Sequence, residues 1–215
     1  MNANFPNHAA PIKLYRHPKS GHCHRVELMM ALLDLPYEAI DIDVANGAHK
    51  APSFLAMSPL GQVPAIDDNG VTLSDSNAIL IYLVKSYPTG YAWLPESPEA
   101  AAEVQRWLSV AAGEIAHGPC AARLVTVFNA PLNHERAKAA SHLLFAVMEQ
   151  TLAVRDFLAG SAITIADVAG YSYIAHAPEG GVSLAGYPSI RAWLKRIEIQ
   201  ERFVEMACTP LPEDV

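Results

Sequence analysis

Almost every strand signal in this chain falls within its first 75 residues, and that asymmetry limits the possible folds more than any other feature. Ile12 and Leu14 alternate in a short strand over residues 12–16. A loop with Pro18, Ser20 and Gly21 follows. Val26, Met29, Met30 and Leu33 then recur at helical spacing, and Leu35-Pro36 ends that helix. Ile40, Ile42 and Val44 alternate with acids, so residues 37–44 read as a second strand. One or two helical turns fit residues 51–57. Residues 63–66 and 71–73 read as strands flanking Asp67-Asp68-Asn69-Gly70, a strong hairpin signal because Asn and Gly tolerate positive φ. Ser74 and Ser76 offer N-caps to an apolar helix reaching about Lys85. The order strand, helix, strand, short helix, hairpin, helix implies a four-stranded open sheet with helices packed on it.

Past residue 86 the pattern changes. Pro88, Gly90, Pro95 and Pro98 mark residues 87–98 as a linker. Residues 99–123 are Ala-rich and helical, with a break expected at Gly118-Pro119. Residues 133–158 read as one long helix with Leu144, Val147, Met148 and Leu152 on one side, closed by Gly160. Thr164 opens another, and residues 188–196 and 200–206 read as two short final helices. The expected organisation is an α/β domain over residues 1–86, ordered from about residue 11, then the linker, then an all-helical domain over 99–215.

Composition narrows the function classes. With 51% hydrophobic and 17% charged residues, the chain can bury a core. A net charge of −7 without a basic block argues against nucleic acid or an anionic membrane as the main partner. The longest apolar run, residues 78–84, is too short to span a bilayer. The first residues lack the basic start and apolar stretch of a leader. Three widely spaced cysteines, Cys23, Cys120 and Cys208, suggest neither a disulfide framework nor a zinc cluster. A cytoplasmic setting is the expectation.

Several polar residues stand at places suited to chemistry. Ser20 lies where the first strand hands over to the first helix, and a helix N-terminus stabilises anions such as a thiolate. Cys23, three residues on, is an alternative nucleophile or a buried packing thiol. His22-Cys23-His24 does not match metal-ligand spacing, so no metal is expected. Asp75-Ser76 opens a helix, as an ordinary cap or as an anion site. Thr164 and Asp167 have the spacing of a capping box, with Ile163 and Val168 as its staple. That reading makes Asp167 structural, with Asp167→Ala lowering stability by about 1 kcal/mol or more.

Ser20-Gly21-His22-Cys23-His24-Arg25-Val26, Ser58-Pro59-Leu60-Gly61-Gln62-Val63-Pro64-Ala65 and Leu73-Ser74-Asp75-Ser76-Asn77-Ala78-Ile79 occur in this order. Together they resemble the thioredoxin-like N-terminal domain of cytosolic glutathione S-transferases. Thr164-Ile165-Ala166-Asp167-Val168 resembles a helix-start motif of that family's helical domain. The resemblance runs from about Leu14 to Glu201 and is nearest to bacterial Ser-type members with a theta-, phi- or zeta-like active-site pattern. It implies a thioredoxin-like glutathione-binding domain followed by an all-helical domain carrying the electrophile pocket. It implies glutathione as co-substrate, a small-molecule electrophile as second substrate, a homodimer and a role in detoxification. Ser20, six residues before Val26, is then the catalytic hydroxyl. Pro64 is then cis, Val63 pairs with the cysteinyl unit and Gln62 helps hold the peptide. Ser76 and the helix N–H groups take the γ-glutamyl carboxylate, and Asp75 pairs with the α-amino group. The family usually has Glu or Gln at that last position. His49 and Lys50 meet the glycyl carboxylate. His17, Trp107, Ala111 and Ile115 are candidates for the electrophile pocket, although an apolar helical stripe is also what a core requires. Isomerase, peroxidase or thiol-reductase chemistry at the same site, and a non-catalytic interaction module, are the alternatives.

Overall fold

The computed structural model describes residues 10–212, so the reading of the first nine residues lies outside it. The described chain divides into two compact units. One holds the residues up to Leu94 together with Glu201–Met206, and the other holds Pro95–Gln200 and the residues from Ala207.

The first unit is built on a four-stranded sheet of order β2-β1-β3-β4. Its strands are β1 (Ile12–Arg16), β2 (Tyr37–Asp41), β3 (Ala65–Asp68) and β4 (Val71–Ser74). β1 runs parallel to β2, with Ile12 opposite Tyr37, and antiparallel to β3, with Leu14 opposite Ile66. The hairpin turn uses Asn69 (φ 52°) and Gly70 (φ 94°), the left-handed pair its dipeptide foretold. Three helices accompany the sheet: α1 (Gly21–Leu32), α2 (Pro52–Leu55) and α3 (Ser76–Ser86). Ile12, Leu14, Val26, Met29, Met30, Ile79, Leu80 and Leu83 are fully buried, so this unit has its own core.

β2 stops at Asp41, short of the expected Val44. Ile42 still donates to the Arg16 carbonyl (2.7 Å), but Asn46 then folds back onto the Asp43 carboxylate and the chain turns away. The expected linker is ordered at its start. A 3₁₀ turn spans Pro88–Trp93, Thr89 donates to the Leu33 carbonyl, and buried Tyr87 donates its hydroxyl to Asp68 (2.5 Å). Residues 200–206 form no helix. Arg202 takes φ 67°, and the segment is held in the first unit by His24 Nε2 at the Val204 carbonyl (2.9 Å) and by the Arg202–Asp34 ion pair.

The second unit is helical. α4 (Pro98–Ala112) is capped by Ser97, whose Oγ accepts the Ala100 N–H. A π turn at Ala116–Cys120 follows, with Gly118 non-helical and Pro119 lacking a donor, so the break expected there is present. α5 (Ala121–Phe128), α6 (His134–Leu152), α7 (Ile165–Ala175), a 3₁₀ turn at Ala177–Gly180 and α8 (Pro188–Glu198) complete it. α6 ends at Leu152, before the expected residue 158. Leu144, Met148 and Leu152 are buried, but Val147 is 55% exposed and lies off the core face. Among the described residues, no helix is long and apolar enough to cross a membrane.

Candidate active site

Two helix N-termini of the first unit are tied together. Ser20 is the N-cap of α1 and its Oγ accepts the Cys23 N–H (3.3 Å). Asp75 caps α3, with Oδ1 accepting the Ala78 N–H (2.9 Å). Of the expected cap residues Ser74, Asp75 and Ser76, it is Asp75 that holds the position. The Ser76 hydroxyl is thereby left for other partners, and it is buried. Arg25, also buried, donates from Nη1 to Ser76 Oγ and to Asn77 Oδ1, both at 2.8 Å. His22 Nδ1 lies 3.4 Å from the same Ser76 oxygen. A guanidinium and the N-terminus of α3 therefore meet at one spot, which favours an anion. Burial and the Arg25 charge push the His22 imidazole down to about 3, so it is neutral around pH 7.

Cys23 is fully buried. Burial pushes its thiol up to about 11, although the Ser20 hydroxyl and the His17 N–H (3.4 Å from Sγ) both act to lower it. The Ser20 hydroxyl thus already stands where it can donate to a sulfur. On Cys23 desolvation wins; on an incoming thiol open to solvent that opposition would be smaller.

The loop before β3 brings further residues together. The Val63–Pro64 peptide is cis. Ser58 donates its hydroxyl to the Gln62 carbonyl (2.8 Å) and accepts the Gln62 N–H (3.1 Å), clamping that residue's backbone. Lys50 Nζ donates to the Leu60 and Gly61 carbonyls (3.0 and 3.1 Å), so it braces the loop as well as standing near it. His49 Nδ1 is buried with no hydrogen-bond partner among the described residues.

The electrophile-pocket candidates separate. His17 is half-buried at the Ser20 loop, and its Nδ1 accepts the Lys19 N–H. In the helical unit Trp107 lines a cavity of about 490 Å³ between α4 and α6, with Val110, His117, Leu143, Leu144 and Val147. Its indole Nε1 has no hydrogen-bond partner among the described residues. Ala111 and Ile115 are buried and do not line that cavity.

Sequence reasoning missed the bond that joins the two halves of the site. Arg25 reads in the sequence as a residue that could orient the Ser20 loop, but only the fold places it under Ser76, 51 residues away. Ser58 could have been singled out, since a serine four residues before Gln62 is spaced for a local backbone clamp. The cluster of His176, Glu179 and Cys208 in the helical unit also went unseen.

Comparison with known proteins agrees with this architecture. Residues 10–85 match the family model "Glutathione S-transferase, N-terminal domain", and residues 125–201 match "Glutathione S-transferase, C-terminal domain". Glutathione S-transferase 3 of Zea mays is 33% identical, with 94% of this chain and 96% of the relative covered. The disulfide-bond oxidoreductase YfcG of Escherichia coli (strain K12) is 30% identical, covering 81% of this chain and 84% of the relative. A crystal structure of a glutathione S-transferase from Pseudomonas fluorescens superposes with a TM-score of 0.84 at 32% identity, covering 92% of this chain and 99% of that one. Taken with the two-unit architecture, these matches establish that the chain belongs to the glutathione S-transferase family of enzymes.

Proposed function

We propose that this enzyme binds glutathione across the N-termini of α1 and α3 and activates its thiol through Ser20 for transfer to a small electrophile. The observation that carries the reading is the position of Ser20: it caps α1 as an acceptor and keeps a rotatable O–H within reach of a sulfur. Ser76, Asp75 and the α3 N–H groups receive the γ-glutamyl end, with Arg25 supplying positive charge beneath Ser76. Gln62 and Val63 offer backbone groups to the cysteinyl unit, on the backbone that Ser58 clamps before Pro64. His49 and Lys50 take the glycyl carboxylate, the unpartnered His49 Nδ1 being the group with most to gain.

The energetics are modest. A thiol of ordinary pKa, about 8.5, is roughly 3% thiolate at pH 7. Lowering it by about two units gives roughly 75% thiolate and requires about 2.7 kcal/mol of differential stabilisation. A hydroxyl donor and a helix N-terminus can supply that. Once the electrophile is held beside the sulfur, proximity provides most of the remaining acceleration.

A reductase reading has one observation in its favour, the similarity to a relative named a disulfide-bond oxidoreductase. It would need Cys23 as nucleophile, and a buried thiol pushed up to about 11 is poorly suited. We also propose a homodimer, because Leu143 (73% exposed) and Val147 (55% exposed) leave an apolar surface beside the α4–α6 cavity. Sedimentation as a monomer would remove that part.

The test is a pH titration of glutathione's thiolate absorbance bound to wild type and to Ser20→Ala. Wild type is expected to lower the thiol pKa by about two units and Ser20→Ala to lose most of that shift. Glutathione bound with an unshifted pKa in wild type would overturn the Ser20 assignment. Absence of binding would favour a non-catalytic module.

A further inference from the structure

A second constellation of reactive side chains lies in the helical unit, and Ser20 plays no part in it. Its centre is Glu179, buried in the 3₁₀ turn Ala177–Gly180. Arg123 of α5, also buried, donates from Nε to Glu179 Oε2 at 2.7 Å. His176 Nδ1 stands 2.6 Å from Oε1. Thr209, in the chain's tail, donates its N–H to Oε1 (3.0 Å) and its hydroxyl to Oε2 (2.5 Å). Burial disfavours the charged carboxylate, but the bonds from Thr209, His176 and Arg123 outweigh it and hold the group down to about 2.

This anchoring fixes the tail at Thr209 and therefore positions its neighbour. Cys208 Sγ, a ring nitrogen of His176 and a carboxylate oxygen of Glu179 all lie within 4.8 Å of one another. Cys208 is exposed, whereas Cys23 and Cys120 are buried. Two chemistries could use such a cluster. A divalent cation would need a carboxylate oxygen, yet both Glu179 oxygens already accept two hydrogen bonds each and face a buried guanidinium. That leaves little for a metal. The same bonds suit a nucleophile. A carboxylate on one imidazole nitrogen fixes the ring and its tautomer and leaves the other nitrogen to act as a base. Among the described residues, the other charged or titratable groups packed at this turn include Arg123 from α5, His134 from α6, whose Nε2 meets the Gly180 carbonyl (2.8 Å), and Lys138 of α6, whose stem lies at Gly181 and whose Nζ pairs with Glu135.

We propose that Cys208 is a modification site: an accessible thiol that exchanges with small-molecule disulfides such as glutathione disulfide, with His176 as its base and Glu179 positioning that base. The step balances without a further reactant. His176 takes the Cys208 proton, and Sγ attacks one sulfur of the disulfide. A new Sγ–S bond forms as the S–S bond breaks, and the departing thiolate takes the proton back from His176. The products are a mixed disulfide on Cys208 and one thiol.

The test treats reduced, full-length protein with glutathione disulfide and follows the adduct on each cysteine by mass spectrometry. At about pH 7 wild type is expected to label at Cys208, at least tenfold faster than at Cys23 or Cys120, since accessibility and a positioned base both act there. His176→Gln is expected to slow Cys208 labelling about tenfold, and the deficit should shrink as pH rises and hydroxide takes over the role of the missing base. A purely structural role for His176 would not give that pH dependence. If His176→Gln does not fold, wild type in concentrated urea provides the comparison: the folded protein must label Cys208 faster than the unfolded one. Equal rates in either comparison, or adduct chiefly on another cysteine, would overturn the proposal. So would tight binding of equimolar zinc that blocks labelling, which would assign the cluster to a metal.

Discussion

α3 and α7 both begin at an acid-and-hydroxyl pair, and the two ends are bonded in opposite ways. At α7 the capping box is closed. Asp167 is fully buried and accepts from Leu158 N (2.9 Å), Thr164 N (2.9 Å), Trp193 Nε1 (2.8 Å) and the Thr164 hydroxyl, whose own oxygen takes the Ala166 N–H. Burial still pushes the Asp167 carboxyl up, so the group is costly to hold and all its bonding capacity is committed. At α3 the end is open. Asp75 is exposed and spends one oxygen on the Ala78 N–H, and Ser76 is braced from below by Arg25. A cap with every lone pair used locks a helix to its surroundings. A cap with capacity left over can hold a ligand.

The largest effect separating the two should come from Asp167→Ala. It strands three buried N–H donors, on Leu158, Thr164 and Trp193, and each unsatisfied donor costs about 1–3 kcal/mol. The expected loss is about 3 kcal/mol or more, well beyond the loss of a simple cap. Urea unfolding measures it, and glutathione affinity per folded molecule should hold. A midpoint within error of wild type would mean that the closed end is not closed.

The open end carries a pH-dependent penalty. His22 stays neutral in the folded state down to about 3, whereas an unfolded histidine takes a proton near 6.5. Unfolding therefore takes up a proton between those values, and stability falls as pH drops through that window, by up to about 1.4 kcal/mol per pH unit. Glu179 is held down to about 2, so its contribution is present above its ordinary range and is lost only at lower pH. His22→Gln should flatten the slope of stability between about pH 6.5 and 5. An unchanged slope would show that His22 protonates freely and that Arg25 does not act on it.

How far the sequence revealed this contrast depends on what each end needs. Thr164 and Asp167 are three residues apart, so local spacing announces the closed cap, and the same holds for the Asn69-Gly70 turn and the alternation in β1. The bonds that make Asp167 indispensable come from Leu158 and Trp193, nine and 26 residues away, and spacing cannot announce those. At the open end Ser20, Asp75 and Ser76 were legible as helix starts. Which of them caps was not, because that turns on the positive φ of Asp75, and the partners of Arg25 were not legible because they lie across the fold. β2, α6 and the tail misled for a related reason. Periodicity reports what could be buried, and the exposed Val147 and the non-helical 200–206 segment show tertiary packing deciding otherwise.

The smallest effect on stability, and the sharpest on the contrast, lies in Asp75 itself. It holds φ 72°, a conformation that glycine adopts freely and other residues adopt at a cost of order 1 kcal/mol. Asp75→Gly loses the bond to Ala78 but gains backbone ease, and glycine as a cap costs only a few tenths of a kcal/mol. The two nearly cancel, so stability should change by less than about 0.5 kcal/mol. Asp75→Ala loses the same bond without the backbone gain and should cost about 1 kcal/mol. If the second oxygen of Asp75 serves the α-amino group of glutathione, both variants should weaken glutathione binding by about tenfold, equivalent to about 1.4 kcal/mol. Calorimetric titration of the two proteins separates the roles. A stable Asp75→Gly that binds as wild type does would make Asp75 a cap and nothing more, and the open character of the α3 end would then rest on Ser76 and Arg25 alone.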